Sequence, residues 1–202
     1  MSIEGWIIFA TFWVLFVTTP GPNAVNCIQT AIEFGFRKSL VCVCGILTQA
    51  CLFLGLSAVG ISALILTSPL LFEILRWSGV AFLIWLGVRN WMQAGHPRTR
   101  RTLSHKTLYV KAFLIATINP KSLAGYIAAF SQFIETGTPI GTQMWVIVPT
   151  ALILTTLSYT GYCALGAHLG RKALDHITNF WIQRILAACF VAYGTLLGLA
   201  AR

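Results

Sequence analysis

Two short stretches hold the residues best placed to do chemistry: Pro20-Gly21-Pro22-Asn23 and Asn119-Pro120-Lys121, each set inside a long apolar run. A lysine in such a run costs roughly 2.5–3.5 kcal/mol to insert at the centre of a membrane helix and marks a functional pathway unless it snorkels. Lys121 lies too deep in its run to reach either interface with ease. Its expected work is to meet a carboxylate or to change protonation, since buried lysines shift their pKa readily. The prolines act on the backbone. Each lacks an N–H and its ring collides with the carbonyl four residues back, so Pro20 is expected to free the Phe16 carbonyl, Pro22 that of Thr18, and Pro120 that of Ala116. Hydrocarbon satisfies none of these, and such backbone persists at depth only inside protein or against a watery cavity. Each break also starts a new half-helix with unpaired amides at the positive end of its dipole. Carbonyls beside amides suit a small molecule with one cationic and one anionic end. A lone proline usually does no more than kink a helix for packing. Two multi-residue breaks in corresponding runs favour a cavity.

Polar side chains gather around both breaks. Asn23, Asn26 and Thr30 recur at i, i+3 and i+7 on one helical face, and Asn119, Ser122 and Tyr126 give the second break a similar character. Gln49 with Thr48 is expected to face them from one neighbouring run, and Ser158, Tyr159 and Tyr162 from another. Such groups also serve as glue between helices. The candidate substrate-binding set is therefore Pro20, Gly21, Pro22, Asn23, Asn26, Gln49, Asn119, Pro120, Lys121 and Tyr126.

Catalytic and metal chemistry find no support. There is no HExxH, GxSxG or GxGxxG, and Gly55-Leu-Ser57-Ala-Val-Gly60 only approximates a nucleophile elbow. His96, His105 and His176 fall in loops and His168 at the end of a run. The six cysteines (Cys27, Cys42, Cys44, Cys51, Cys163, Cys189) form no CxxC and read as small packing residues. Neither a catalytic role, a metal nor a cofactor is expected. No acidic residue lies in the middle of an apolar run, so a carboxylate proton relay and a counter-charge for a cationic side chain are both missing. A neutral zwitterion fits better than lysine or arginine as substrate.

The elements that must position these groups are membrane helices. Of 202 residues, 57% are hydrophobic and 9% charged, against roughly 25% charged in soluble domains, and the mean hydropathy is +0.79. Runs near 5–32, 39–67, 70–94, 109–133, 143–169 and 178–200 are each long enough to cross a hydrocarbon core. The start of the chain lacks the basic residues of a cleaved signal and reads as a retained first span. The expected fold is one all-α membrane domain over 1–202, with a first three-span half at 1–95, a basic linker at 96–108 and a second half at 109–202. An odd number of spans per half relates the halves as inverted repeats, with spans one and four broken at matching positions, a pattern that points to a transport site. Basic residues crowd alternate loops: Arg37 and Lys38, then Arg98, Arg100, Arg101, Lys106 and Lys111, then Arg171 and Lys172. The positive-inside bias makes those loops cytoplasmic and turns both termini outward. Anionic lipid accounts for the net charge of +9, with no nucleic-acid partner required. Gly166-x-x-x-Gly170 and Gly194-x-x-x-Gly198 are close-packing signals, within one chain or across a homodimer.

With "PGPN" in the first span, "LRWSGVAFLIWLGVRNW" in the third and "NPK" in the fourth, the chain resembles the LysE/RhtB family of bacterial amino-acid exporters along essentially its whole length. The resemblance implies efflux of amino acids or related metabolites across the bacterial inner membrane, driven by the proton motive force, with protons as coupling ion. It carries over to Pro20, Gly21, Pro22 and Asn23, and to Asn119, Pro120 and Lys121. Departures bear on the substrate: Gly45 and Gln49 stand in span two where exporters of basic amino acids tend to carry an acidic residue. Ala112 and Ser39 replace frequent glycines, and Ser131 a frequent proline. The expectation is a secondary exporter of small neutral amino acids working by alternating access. A channel or exporter for another solute or a metal ion, and a non-transporting scaffold, are the alternatives.

Overall fold

The computed structural model describes residues 1–59, 69–94, 103–119, 121–122, 125–126, 129, 133, 138–172 and 176–199. Among these every regular element is a helix and there is no strand. The helices are α1 (Ile3–Thr18), α2 (Pro22–Phe34), α3 (Phe36–Ala58), α4 (Pro69–Gln93), α5 (His105–Ile118), α6 (Ile140–Lys172) and α7 (His176–Leu199). Beyond α5, residues 121, 122, 125, 126, 129 and 133 are also helical. Helix α3 and the stretch Ile140–Gly170 of α6 are each long and apolar enough to cross a membrane, and α1 with α2 does so as a pair bent by 53°. Residues 96–102 of the expected basic linker, the end of the expected second span at 60–67, and Pro120 lie outside the described residues, while 105–108 of that linker form the first turn of α5.

Local sequence sets the helix ends. Ser2 caps α1 by accepting from the Gly5 amide, and Ser104 caps α5 by accepting from the Thr107 amide, each satisfying a donor with no intrahelical partner. Both helices stop at a residue that precedes a proline, Thr19 (φ −66°, ψ 121°) and Asn119 (φ −75°, ψ 110°). The following ring excludes helical backbone there. Pro22 and Pro69 occupy the first positions of α2 and α4, where a missing N–H removes nothing. Pro149 lies inside α6, which runs on through it. Gly35 alone joins α2 to α3, at φ 82° and ψ 169°, a backbone state open in practice only to glycine.

Close approaches fix the packing. A Cβ at Gly166 would lie 2.5 Å from the Ile28 carbonyl oxygen, and one at Gly170 would lie 3.1 Å from Ile32 Cα, so α6 runs against the backbone of α2. The Gly166-x-x-x-Gly170 motif is thus used within one chain. Gly45 plays the same part between α3 and α5, 2.7 Å from the Tyr109 carbonyl oxygen, and Gly87 between α4 and α7. Trp13 is fully buried and donates from Nε1 to the Ala151 carbonyl and to Thr155 Oγ1, both at 3.1 Å, tying α1 to α6. One apolar core threads α1, α2, α3, α5 and α6 through Phe9, Trp13, Cys27, Ile46, Leu108 and Ala151. A smaller one joins Val25, Leu86, Ile115 and Phe190. Cys42 is buried and Cys44 exposed, as ~100° per residue requires.

Candidate functional site

The break between α1 and α2 is the centre of the site. Three consecutive carbonyls at the end of α1 point out of the helical ladder, and each accepts from a side chain distant in sequence. Ser158 Oγ donates to the Val17 carbonyl at 2.9 Å, Tyr162 Oη to that of Thr18 at 2.6 Å, and Lys121 Nζ to that of Thr19 at 2.5 Å. The expectation that proline frees backbone oxygens thus holds at Thr18, whose helical donor is replaced by Pro22. In this structure each of these oxygens already accepts from α6 or from Lys121.

Across the break the situation reverses. Gly21 precedes α2 with no side-chain cap, so the first amides of this helix carry its positive end without a side-chain acceptor. Asn23, in the first turn, is 4% exposed and its Oδ1 has no hydrogen-bond partner. Asn26 Oδ1 and Gln49 Nε2 are also buried and unpartnered. Each such group loses its hydration without replacement, at a cost of about 1–3 kcal/mol. Their placement follows from the α2–α3 hairpin. Cys42 donates to Thr30 Oγ1 at 3.6 Å. Asn23 lies seven residues before Thr30 and Gln49 seven after Cys42, each step spanning ~10.5 Å along antiparallel helices, so the two amides stand level. Tyr159 lies against Asn23 from α6. Asn23 and Tyr159 therefore meet at the start of α2, and Gln49 is buried on α3.

Lys121 belongs to both breaks. Its backbone N–H is accepted by Asn119 Oδ1 at 3.1 Å, so Asn119 works as the cap of the half-helix that Lys121 opens. Its ammonium sits 5.4 Å from the centre of the Phe16 ring. A Cβ at Gly21 would lie 3.4 Å from its Cδ. Gly125, one turn further on, has the Phe16 ring packed where a Cβ would stand. Tyr126 is buried among Trp13, Phe16 and Phe53, with ring centroids 5.3–6.3 Å apart. It builds an aromatic wall on the α1 side.

Of the expected site residues, Gly21, Pro22, Asn23 and Lys121 meet at or beside the first break, Asn119 stands at the second, and Asn26 and Gln49 are buried. Thr48 is turned away: it is exposed and accepts from Tyr109 Oη at 2.8 Å. Sequence reasoning missed Phe16, which backs the lysine, and the buried pair in which Asn90 Nδ2 donates to Gln29 Oε1 at 3.2 Å. Gln29 follows Asn23 and Asn26 at three-residue steps, a signal that could have found it. Among the described residues no group of three or more His, Cys, Asp or Glu is arranged to hold a metal ion.

Paired helix breaks are a pattern found at transport sites, and comparison with known families shows what the chain belongs to. The LysE type translocator family matches residues 14–201. The chain belongs to the LysE type translocator family. Among its relatives, a homoserine/homoserine lactone efflux protein of Salmonella typhimurium is 30% identical over 99% of this chain and 98% of its own length. An uncharacterized membrane protein of Vibrio cholerae is 32% identical over 99% of both chains. A leucine efflux protein of Salmonella choleraesuis is 25% identical over 91% of both. No solved structure matches. The family is one of transporters, so this translocator is not an enzyme.

Proposed function

We propose that this LysE type translocator is a secondary exporter of small neutral amino acids or close derivatives, working by alternating access and driven by the proton motive force. The observation that carries the reading is the first break: carbonyls on one side, an uncapped helix start with the unpartnered Asn23 oxygen on the other, and the Lys121 ammonium between them. The substrate carboxylate is held by the α2 start and Lys121, and the ammonium by break carbonyls. Relatives named for homoserine and leucine efflux support a neutral side chain.

Six spans in two inverted halves, with both termini outward in the bacterial inner membrane, complete the proposal. Two findings support the repeat. Each half opens with a serine-capped helix that ends extended before a proline. Helix contacts also respect the exchange of halves: α1 packs on α6 as α5 packs on α3, and α4–α7 and α3–α6 map onto themselves. The test is efflux of labelled neutral amino acids from cells producing the wild type or Asn23→Ala, each with and without a proton uncoupler. Efflux of one amino acid that needs both Asn23 and the proton gradient is expected. No efflux of any member of the panel from protein present in the membrane would overturn the reading.

A further inference from the structure

The three donors on the break differ in kind. Ser158 and Tyr162 are neutral hydroxyls one turn apart on α6, a helix held to α1 by the Trp13 bonds. Lys121 is charged and stands at the start of the half-helix behind the second break. Its ammonium has three hydrogens to place, yet its described partners are one carbonyl oxygen and the face of Phe16. The lysine is only partly buried and its bond to Thr19 lies at an exposed position, so its remaining hydrogens face the opening. Thr18, Thr19 and Pro20 are exposed while Gly21 to Cys27 are buried, so the carbonyl under Lys121 is within reach of a ligand.

We propose that Lys121 is an exchangeable occupant of the first break: its ammonium holds the Thr19 carbonyl while the site is empty and gives it up to the ammonium of the substrate, turning to the substrate's carboxylate. The inference rests on the exporter reading and deepens it. Hydrogen bonds balance in the exchange, because one ammonium replaces another on Thr19 and the released lysine gains an acceptor. Charge balances too, since a zwitterion adds none. A primary amine without a carboxylate is rejected, because it would leave two ammonium groups together with one acceptor. A carboxylate without an amine leaves Thr19 bare once the lysine turns. Recognition of both ends of an amino acid thus follows from one side chain, and Lys121, the link between the breaks, is a positioning residue for their relative motion.

The experiment uses the full chain in nanodiscs with nitroxide labels at the exposed positions Ile8 of α1 and Arg37 of α3, read by pulsed electron resonance. Lys121→Met keeps the length and removes the charge; Lys121→Arg keeps the charge. Without substrate, the distance distribution is expected to broaden or shift in Lys121→Met and to stay as in the wild type in Lys121→Arg. The second arm titrates n-propylamine and follows tryptophan fluorescence, where Lys121→Met is expected to bind at least about tenfold more tightly than the wild type. An unchanged distance distribution in Lys121→Met, or propylamine binding no tighter than to the wild type, overturns the exchange. Failure of the exporter reading has a separate signature, since the wild type would then export no amino acid whatever the labels show.

Discussion

The close approach of α6 to α2 makes Gly166→Ala a sharp test of how the break is held. A Cβ at this position meets the Ile28 carbonyl oxygen at 2.5 Å and Ile28 Cα at 2.8 Å, where ordinary contact begins at 3.4 Å. Neither atom is the end of a flexible side chain, so the two helices must part by the difference, 0.9 Å at the tighter contact. Forcing a methyl group into packed structure costs about 1–3 kcal/mol. The functional effect is expected to exceed that. Tyr162 lies one turn from Gly166 on α6, and its bond to the Thr18 carbonyl is 2.6 Å long. If the full displacement reaches it, that bond lengthens to 3.5 Å and the Ser158–Val17 bond from 2.9 Å to 3.8 Å, past the range in which such bonds hold. Two measurements check this: unfolding in a graded mixture of detergents for stability, and initial efflux rate per molecule in the membrane for function. Gly166→Ala is expected to remain folded, lose about 1–3 kcal/mol and lose most of its efflux. Stability and efflux both equal to the wild type would refute the close packing, and with it the α6 clamp on the break.

Other variants separate structural from functional roles. Asn119→Ala removes the cap on the Lys121 amide and is expected to cost about 1 kcal/mol, seen as a lower melting temperature in detergent, with Asn119→Ser recovering part of it through its hydroxyl. Gln49→Met keeps the volume and removes a buried donor that has no partner, so stability is expected to stay level or rise by about 1 kcal/mol while efflux falls. A clear loss of stability in this variant would show that Gln49 serves the fold.

Much of this was legible in the sequence because prolines and charges act locally. Each of the expected apolar runs coincides with a helix to within a few residues over its described part, and the breaks fall at Pro20–Gly21 and after Ile118. The ladder of donors on Val17, Thr18 and Thr19 was only half legible. Ser158 and Tyr162 were recognisable as polar groups in a neighbouring run, but their pairing with these carbonyls depends on how far α6 slides along α2. That register is set by Gly166 and Gly170 against Ile28 and Ile32, a contact between residues far apart in sequence. Phe16 escaped notice for a similar reason. An apolar residue among apolar neighbours carries no signal until the fold sets a lysine over its ring. Pro149 shows the converse: it looks like a breaker, yet with no second proline or glycine beside it α6 remains continuous.

The two breaks share a backbone and differ in chemistry, and that difference explains why a paired design makes one site. Thr19 and Asn119 adopt nearly the same extended conformation before their prolines. The second break then satisfies itself, because Asn119 caps the helix that follows. The first break opens its second helix with Gly21 before Pro22 and has no side-chain cap there, and its carbonyls accept from groups supplied by α6 and Lys121. A break that closes on its own residues is a rigid mount for a charge. One that relies on distant donors changes its partners when those donors move. In the exporter proposed above, matched geometry is what would let the halves trade positions at little difference in energy under alternating access, and unequal capping is what would confine ligand exchange to the side with the uncapped helix start. Exchanging the caps, with Ser at position 21 and Gly at position 119, should therefore fill the α2 start from within and loosen the lysine. The expected result is a chain that folds and no longer exports, and restoring Gly21 alone should recover more efflux than restoring Asn119 alone.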